Sequence, residues 1–180
     1  DYVISSVPSS AVLDLVDAAA RKRVKAIHFF TARFSETGHE KDIALERELL
    51  KRASAAGIRV IGPNCMGIYY PKQGMSFMRF EREAGNVGIL SQSGGNVHEI
   101  VYLSSMRGLR FSKAVSFGNA FDINESDLLD YFTAYPETEV IGGYVEGVRD
   151  GPRFARALRE AAATKPVVLL KGGRTQAGTR

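Results

Sequence analysis

The stretch VGILSQSGG, residues 87–95, decides how this chain is read. Val87–Leu90 is a short apolar run bounded by turn residues, the pattern of a buried strand. Ser91, Gln92 and Ser93 turn the chain, and Gly94 and Gly95 open a helix predicted over Gly94–Arg107. A helix start carries unpaired N–H groups and a partial positive charge. Ser91 and Ser93 add hydroxyls there, and Gly94 and Gly95 have no side chains to block an anion. A phosphoryl group or a carboxylate suits such an end. The same residues also suit a plain cap, with Ser93 closing the first turn.

Outward from this stretch, strands and helices alternate. Towards the C-terminus, Phe111–Phe117, Val140–Val145 and Pro166–Leu170 read as strands, separated by helices over Glu125–Ala134 and Pro152–Ala163. Asn124 or Ser126 stands near the start of the first of these helices, and Pro152 falls in the first turn of the second, where its missing N–H costs nothing. Towards the N-terminus, Tyr2–Val7, Lys25–Thr31 and Ile58–Ile61 read as strands. A helix follows Pro8, with Ser9 or Ser10 as cap and Val12, Leu15, Val16 and Ala19 at helical spacing. A charged amphipathic helix over Glu40–Ala56 ends at Gly57. Alternation of this kind predicts parallel sheets with right-handed crossovers. Tyr69–Glu83, with Pro71 and Gly74, reads as a linker between two units, 1–83 and 84–180.

The totals exclude several classes. The 180 residues are 44% hydrophobic and 24% charged, with a formal charge of +4. That is ordinary for a globular protein. No apolar run approaches the roughly 20 residues of a membrane span. The single cysteine, Cys65, forms no internal disulfide and fits a reducing, cytoplasmic compartment. Basic residues are interleaved with acidic ones on helix faces, with no aromatic-basic surface for nucleic acid. The chain opens at Asp1 without a Met, which suggests a trimmed piece of something longer.

In open parallel sheets, ligands gather at the carboxyl ends of the strands. Those ends are SSVPSS (5–10), FTARF (30–34), GPNCMG (62–67), SQSGG (91–95), FGNAFDIN (117–124), GGYVEG (142–147) and KGGRT (171–175). Most of these residues are small or polar, as loops near a ligand should be. Cys65 lacks a neighbouring histidine in sequence, which favours a packed thiol over a nucleophile. Glu146 ends an apolar strand and is read either as a cleft carboxylate or as an exposed loop residue. His28 falls in a strand and His39 at a charged helix start. His98 lies one turn into the helix after SQSGG and could face the same cleft. There is no metal-type spacing, no GxSxG elbow and no GxxxxGK[ST] loop.

The motifs GPNCMG, GNVGILSQSGG, VSFGNAFDINESDLLDYF, PETEVIGGYVEG and KPVVLLKGGRTQAG, in this order, resemble the NDP-forming acyl-CoA synthetases, together with the α subunit of succinyl-CoA synthetase. The resemblance covers essentially the whole chain. It implies an α/β protein with a partial Rossmann-type CoA-binding domain (1–83), followed by a flavodoxin-like parallel-sheet domain (84–180). It implies the reaction of acyl-CoA, phosphate and ADP (or GDP) to free acid, CoA and ATP (or GTP), through acyl phosphate and phosphohistidine. It nominates Val7, Pro8, Phe30, Thr31, Ala32, Asn64 and Cys65 for CoA, and Ser91, Ser93, Gly94 and Gly95 for phosphate. Glu146 matches the glutamate that hydrogen-bonds the phosphohistidine. His98 aligns with a tyrosine near the acyl substrate in the succinyl branch, which leaves the acid unassigned, while SQSG and GNAFD are closer to the acetate-type branch.

The family's phosphorylated histidine lies past KGGRTQAG, outside this chain, and its Gly-rich CoA phosphate loop lies before the first strand seen here. ATP or ADP with Mg would sit in a separate ATP-grasp domain or subunit, with no metal in this chain. The expected partners are CoA, a small carboxylic acid, the ATP-grasp module and a homo- or hetero-oligomeric neighbour, with neither nucleic acid nor membrane. A non-catalytic module that senses CoA or acyl-CoA is the alternative. A flavodoxin-like FMN protein is a third reading, disfavoured because no aromatic pair frames a flavin.

Overall fold

The computed structural model describes residues 1–76 and 83–173. Arg174 and Thr175 of KGGRT, the following TQAG residues and the middle of the expected linker (77–82) lie outside the described residues. The chain divides into two compact units, residues 1–67 with 117–123, and residues 68–116 with 124–180.

The first unit is a three-stranded sheet of β1 (Tyr2–Ser5), β2 (Ala26–Phe29) and β3 (Arg59–Ile61), ordered β1-β2-β3 and parallel throughout. Helices α1 (Val12–Arg21) and α2 (Glu40–Ala55) supply the crossovers. Val12, Val16 and Ala19 from α1 meet Ile27 and Phe29 from β2 and Leu49 and Ala53 from α2 in one buried cluster. Neither Ser9 nor Ser10 caps α1. A 3-10 turn over Ser9–Ala11 feeds the helix instead, and the Pro8 carbonyl takes the Ala11 N–H at 2.9 Å. α2 ends as expected at Gly57 (φ 67°), where Ile58 N–H reaches back to the Ala53 carbonyl at 2.8 Å. Only a residue without Cβ takes that backbone turn at no steric cost.

Alternation along the strands puts His28 on the face opposite this cluster. His28 is 1% exposed, its Nε2 donates to the Cys65 carbonyl at 3.1 Å, and its Nδ1 has no partner among the described residues. Burial holds its pKa below 6.5, opposed by the bond to Cys65. Residues 117–123 close this unit along β3. Phe121 N–H donates to the Gly62 carbonyl (3.1 Å) and Ile123 N–H to the Val60 carbonyl (3.2 Å). The Asp122 carboxylate accepts from the Val60 N–H and from Arg59 Nε, each at 2.8 Å. Phe121 meets Phe34 edge-on at 5.6 Å between ring centres. The outer edge of β3 is thus covered by irregular chain.

The second unit is a five-stranded sheet ordered β4-β6-β5-β7-β8. Its elements are β4 (Gly67–Tyr69), β5 (Ala84–Ser91), α3 (Gly94–Ser105), β6 (Phe111–Ser116), α4 (Glu125–Ala134), β7 (Val140–Val145), α5 (Gly151–Thr164) and β8 (Val167–Lys171). β5 pairs in parallel with both β6 and β7, and β7 with β8. This is the flavodoxin-type winding, with β4 added beside β6 at the end of the GPNCMG turn and overlapping the expected linker only at Tyr69. α4 starts in a full capping box, Asn124 bonding the Asp127 N–H and Asp127 bonding back. Gly88 makes room for α4, since a Cβ there would lie 2.6 Å from Phe132 Cδ1. Lys113 on β6 is 8% exposed. Its ammonium sits 3.3 Å from the centre of the Tyr135 ring and 4.1 Å from that of Tyr70, and donates to the Tyr131 hydroxyl at 2.6 Å. These rings compensate a cation whose pKa is lowered mainly by burial.

Two outcomes follow for the first unit. Asp122→Ala leaves the Val60 N–H without its acceptor and should lower unfolding free energy by about 1–3 kcal/mol in a urea titration. His28 should titrate below 6.5 in an NMR pH series. Because its folded pKa lies below its unfolded value, its contribution to stability is complete above about pH 6.5 and is lost as pH falls from there towards the folded value.

Candidate functional site

Winding outward from β5 to β6 on one side and to β7 on the other leaves a crevice at the carboxyl ends of β5 and β7. The β5 end is Ser91-Gln92-Ser93, running into α3. The β7 end is Tyr144-Val145-Glu146-Gly147. The ladder aligns Ser91 with Tyr144, and Gln92 N–H continues it to the Tyr144 carbonyl at 2.9 Å. The Gln92 side chain then crosses to β7, its Oε1 accepting from Glu146 N–H at 2.8 Å and from Gly147 N–H at 3.0 Å. On the far side, β8 contributes Lys171, whose ammonium donates to the carbonyls of Glu146 and Gly172.

At the helix start, Ser93 is the N-cap. Its Oγ accepts the Asn96 N–H at 3.2 Å, and its carbonyl takes the Val97 N–H at 3.2 Å. Among the described residues, none accepts from the first-turn amides of Gly94 and Gly95. A Cβ on Gly95 would have only Ser93 Oγ within 4 Å, at 4.0 Å, so the approach there is open. Ser91 is fully buried and donates its hydroxyl to the Ser93 carbonyl at 2.7 Å, which shapes the turn. Ser93 accepts through Oγ and keeps its hydroxyl proton for another acceptor.

The Glu146 side chain is exposed at the crevice. Tyr144 lies beside it. Burial first, and then the Glu146 carboxylate, hold the phenol above its usual pKa, while Asn96 acts in the opposite sense. Gly172 lets that phenol pass, since a Cβ there would stand 2.6 Å from Tyr144 Oη. His98 is half-buried in the first turns of α3, its Nδ1 3.4 Å from Glu99 and its ring stacked on Tyr102 at 6.2 Å. Sequence reasoning named Ser91, Ser93, Gly94, Gly95 and Glu146 and passed over Gln92, Tyr144 and Lys171. Gln92 and Lys171 act here through backbone groups of another strand, which no local motif reports.

In the first unit the carboxyl ends of β1, β2 and β3 also converge. Thr31 donates its hydroxyl to the Val7 carbonyl at 2.6 Å, and Asn64 N–H donates to the Thr31 carbonyl at 2.9 Å. Pro8, Phe30, Ala32 and Asn64 are exposed along this edge. The turn at Gly62, Pro63 and Asn64 is held by 117–123. Asn119 N–H donates to the Pro63 carbonyl at 3.0 Å, and a Cβ on Gly118 would stand 2.1 Å from that oxygen. Asn64 has φ 57° and lies 3.4 Å from the Asn119 side chain. This rim combines an aromatic ring, small apolar groups and amides. Cys65 is turned inward, 4% exposed and 3.8 Å from the Phe29 carbonyl, and burial pushes its thiol up to about 12. Among the described residues, no group of His, Cys, Asp and Glu could hold a metal ion, and no helix is long and apolar enough to cross a membrane.

Two parallel α/β units, the second wound like a flavodoxin, define the fold class. Residues 84–180 match the succinyl-CoA ligase-like flavodoxin domain, and residues 1–71 match the CoA binding domain. The chain belongs to the family of NDP-forming acyl-CoA synthetases and succinyl-CoA synthetase α subunits. It is 38% identical to acetate–CoA ligase [ADP-forming] I of Archaeoglobus fulgidus, over 100% of this chain and 26% of that protein. It is 36% identical to the α subunit of acetate–CoA ligase [ADP-forming] II of Pyrococcus furiosus, over 100% of this chain and 39% of that one. The Candidatus Korarchaeum cryptofilum dinucleotide-forming acetyl-coenzyme A synthetase 1, solved in complex with phosphate and ADP, superposes with a TM-score of 0.88 at 35% identity. That superposition covers 99% of this chain and 39% of the other. The chain thus spans between a quarter and two fifths of the length of these relatives.

The buried Cys65 thiol should resist iodoacetamide at pH 8 in the folded protein and react on addition of denaturant. Mass spectrometry of the intact chain reads the difference.

Proposed function

We propose that this chain supplies the CoA-binding and phosphoryl-handling part of an ADP-forming acyl-CoA synthetase, in which acyl-CoA, phosphate and ADP give free acid, CoA and ATP through acyl phosphate and phosphohistidine. The observation that carries this reading is the crevice at β5 and β7, where the open start of α3 and the Glu146 carboxylate lie on adjoining strand ends. Phosphoryl transfer asks for positioning and charge stabilisation more than for covalent help. The Gly94 and Gly95 amides and the Ser93 hydroxyl are donors suited to phosphate oxygens. Glu146 is suited to accept from an imidazole N–H and so hold one tautomer in place.

CoA, when bound, supplies the thioester, and Val7, Pro8, Phe30, Thr31, Ala32 and Asn64 are the residues of this chain that would hold it. Cys65 would contribute through the shape of its turn. His98 is proposed near the acid. The two domains are proposed as 1–83 and 84–180. The phosphorylated histidine, and an ATP-grasp module binding ATP or ADP with Mg, are proposed to lie elsewhere in the enzyme, whose site is cytoplasmic and whose assembly is oligomeric. The relatives named above are ligases, which weighs against a non-catalytic CoA-sensing module.

Glu146→Gln in the full-length enzyme should reduce ATP formation from acetyl-CoA, ADP and phosphate by roughly 10²–10³ in kcat, with KM for acetyl-CoA little changed. Unchanged turnover would remove Glu146 from the site.

A further inference from the structure

We propose that Gln92 is the positioning residue for Glu146, fixing the loop after β7 through its side-chain oxygen; this rests on the reading of Glu146 given above. Of the side chains in Ser91-Gln92-Ser93, the two serines are engaged locally, one on the Ser93 carbonyl and the other on the Asn96 N–H. Gln92 reaches the neighbouring strand end. Its backbone N–H holds the Tyr144 carbonyl, and its Oε1 takes the N–H groups of Glu146 and Gly147 at 2.8 and 3.0 Å. One residue of the α3 loop therefore grips three consecutive peptide units of the β7 end.

The chemistry of this grip is orientational. Glu146 and Gly147 are exposed, so their N–H groups find water if Oε1 is removed, and the fold survives. What is lost is the angle at which the carboxylate leaves the backbone. Lys171 holds the Glu146 carbonyl from the opposite side, and the Tyr144 phenol interacts with the Glu146 carboxylate. Gln92 is the member of this set that also belongs to the anion-binding turn. It couples the placement of the α3 donors to that of the carboxylate, and misplacement by even an ångström is costly when reacting groups must be aligned.

The test compares Gln92→Met, Glu146→Gln and the double variant in the full-length enzyme. Met keeps the length of the side chain and removes the acceptor. Gln92→Met should lower kcat for ATP formation from acetyl-CoA, ADP and phosphate by about tenfold, the worth of two modest hydrogen bonds. KM for acetyl-CoA should stay the same and the melting temperature should move little. Hydrogen exchange at the Glu146 and Gly147 amides should rise by about tenfold on the same grounds. In the double variant the slowing should be no greater than in Glu146→Gln alone, because Gln92 acts through that side chain. Additive slowing, or an unchanged kcat beside a slow Glu146→Gln, overturns the proposal. Should Glu146→Gln itself be fully active, the carboxylate reading fails and the catalytic role of Gln92 falls with it. The amide exchange separates the two failures, since it reports the grip of Gln92 on the loop whether or not turnover responds.

Discussion

A parallel strand pair cannot be closed by a tight turn, and that constraint shapes both units. The pairings β1–β2, β2–β3, β5–β6, β5–β7 and β7–β8 are all parallel. Each successive strand must start again from the same edge, so the chain returns by a long crossover. The loops that leave the carboxyl ends accordingly collect on one edge of each sheet. In the second unit the order then reverses at β5, and two of these loops diverge and leave space between them. The start of α3 and the end of β7 border that space because of the winding, before any side chain is considered.

Close approach of backbone is the second requirement, and glycines meet it where a side chain would not fit. A Cβ at Gly142 would lie 2.6 Å from Ile89, and one at Gly143 would lie 2.5 Å from Leu169. β7 is therefore smooth where its neighbours' branched side chains lean over it, and it delivers Tyr144 and Glu146 to the crevice from a strand with no slack. The Lys113 cation held among three tyrosine rings does the opposite job beside β4 and α4. It fills space with a charge that aromatic faces, a hydroxyl and the nearby Glu137 carboxylate make tolerable there.

Much of this was legible in the residues. Glu125–Ala134 and Val140–Val145 were readable to the residue, because Asn124 and Asp127 mark one helix start and Pro136 separates the helix from the next strand. The turn at SQSGG was readable because glycine pairs after a strand have few other uses. β4 was not, since three residues between Gly67 and Pro71 carry no periodicity and their pairing with β6 is set by tertiary context. Ser9 and Ser10 looked like caps because serine suits that place, yet the tighter 3-10 turn after Pro8 satisfied the backbone by itself. Gln92 was invisible for a different reason: its partners are peptide groups, and only the folded register says whose.

The seven residues 117–123 leave β6 and return to the company of the first unit, before Asn124 begins α4 in the second. During synthesis, residues 1–67 are made before the carboxylate and the phenyl ring that seal their last strand. Those arrive only after three strands of the other unit have been made. A cut between the two matched stretches would therefore strip β3 of the segment that covers its edge.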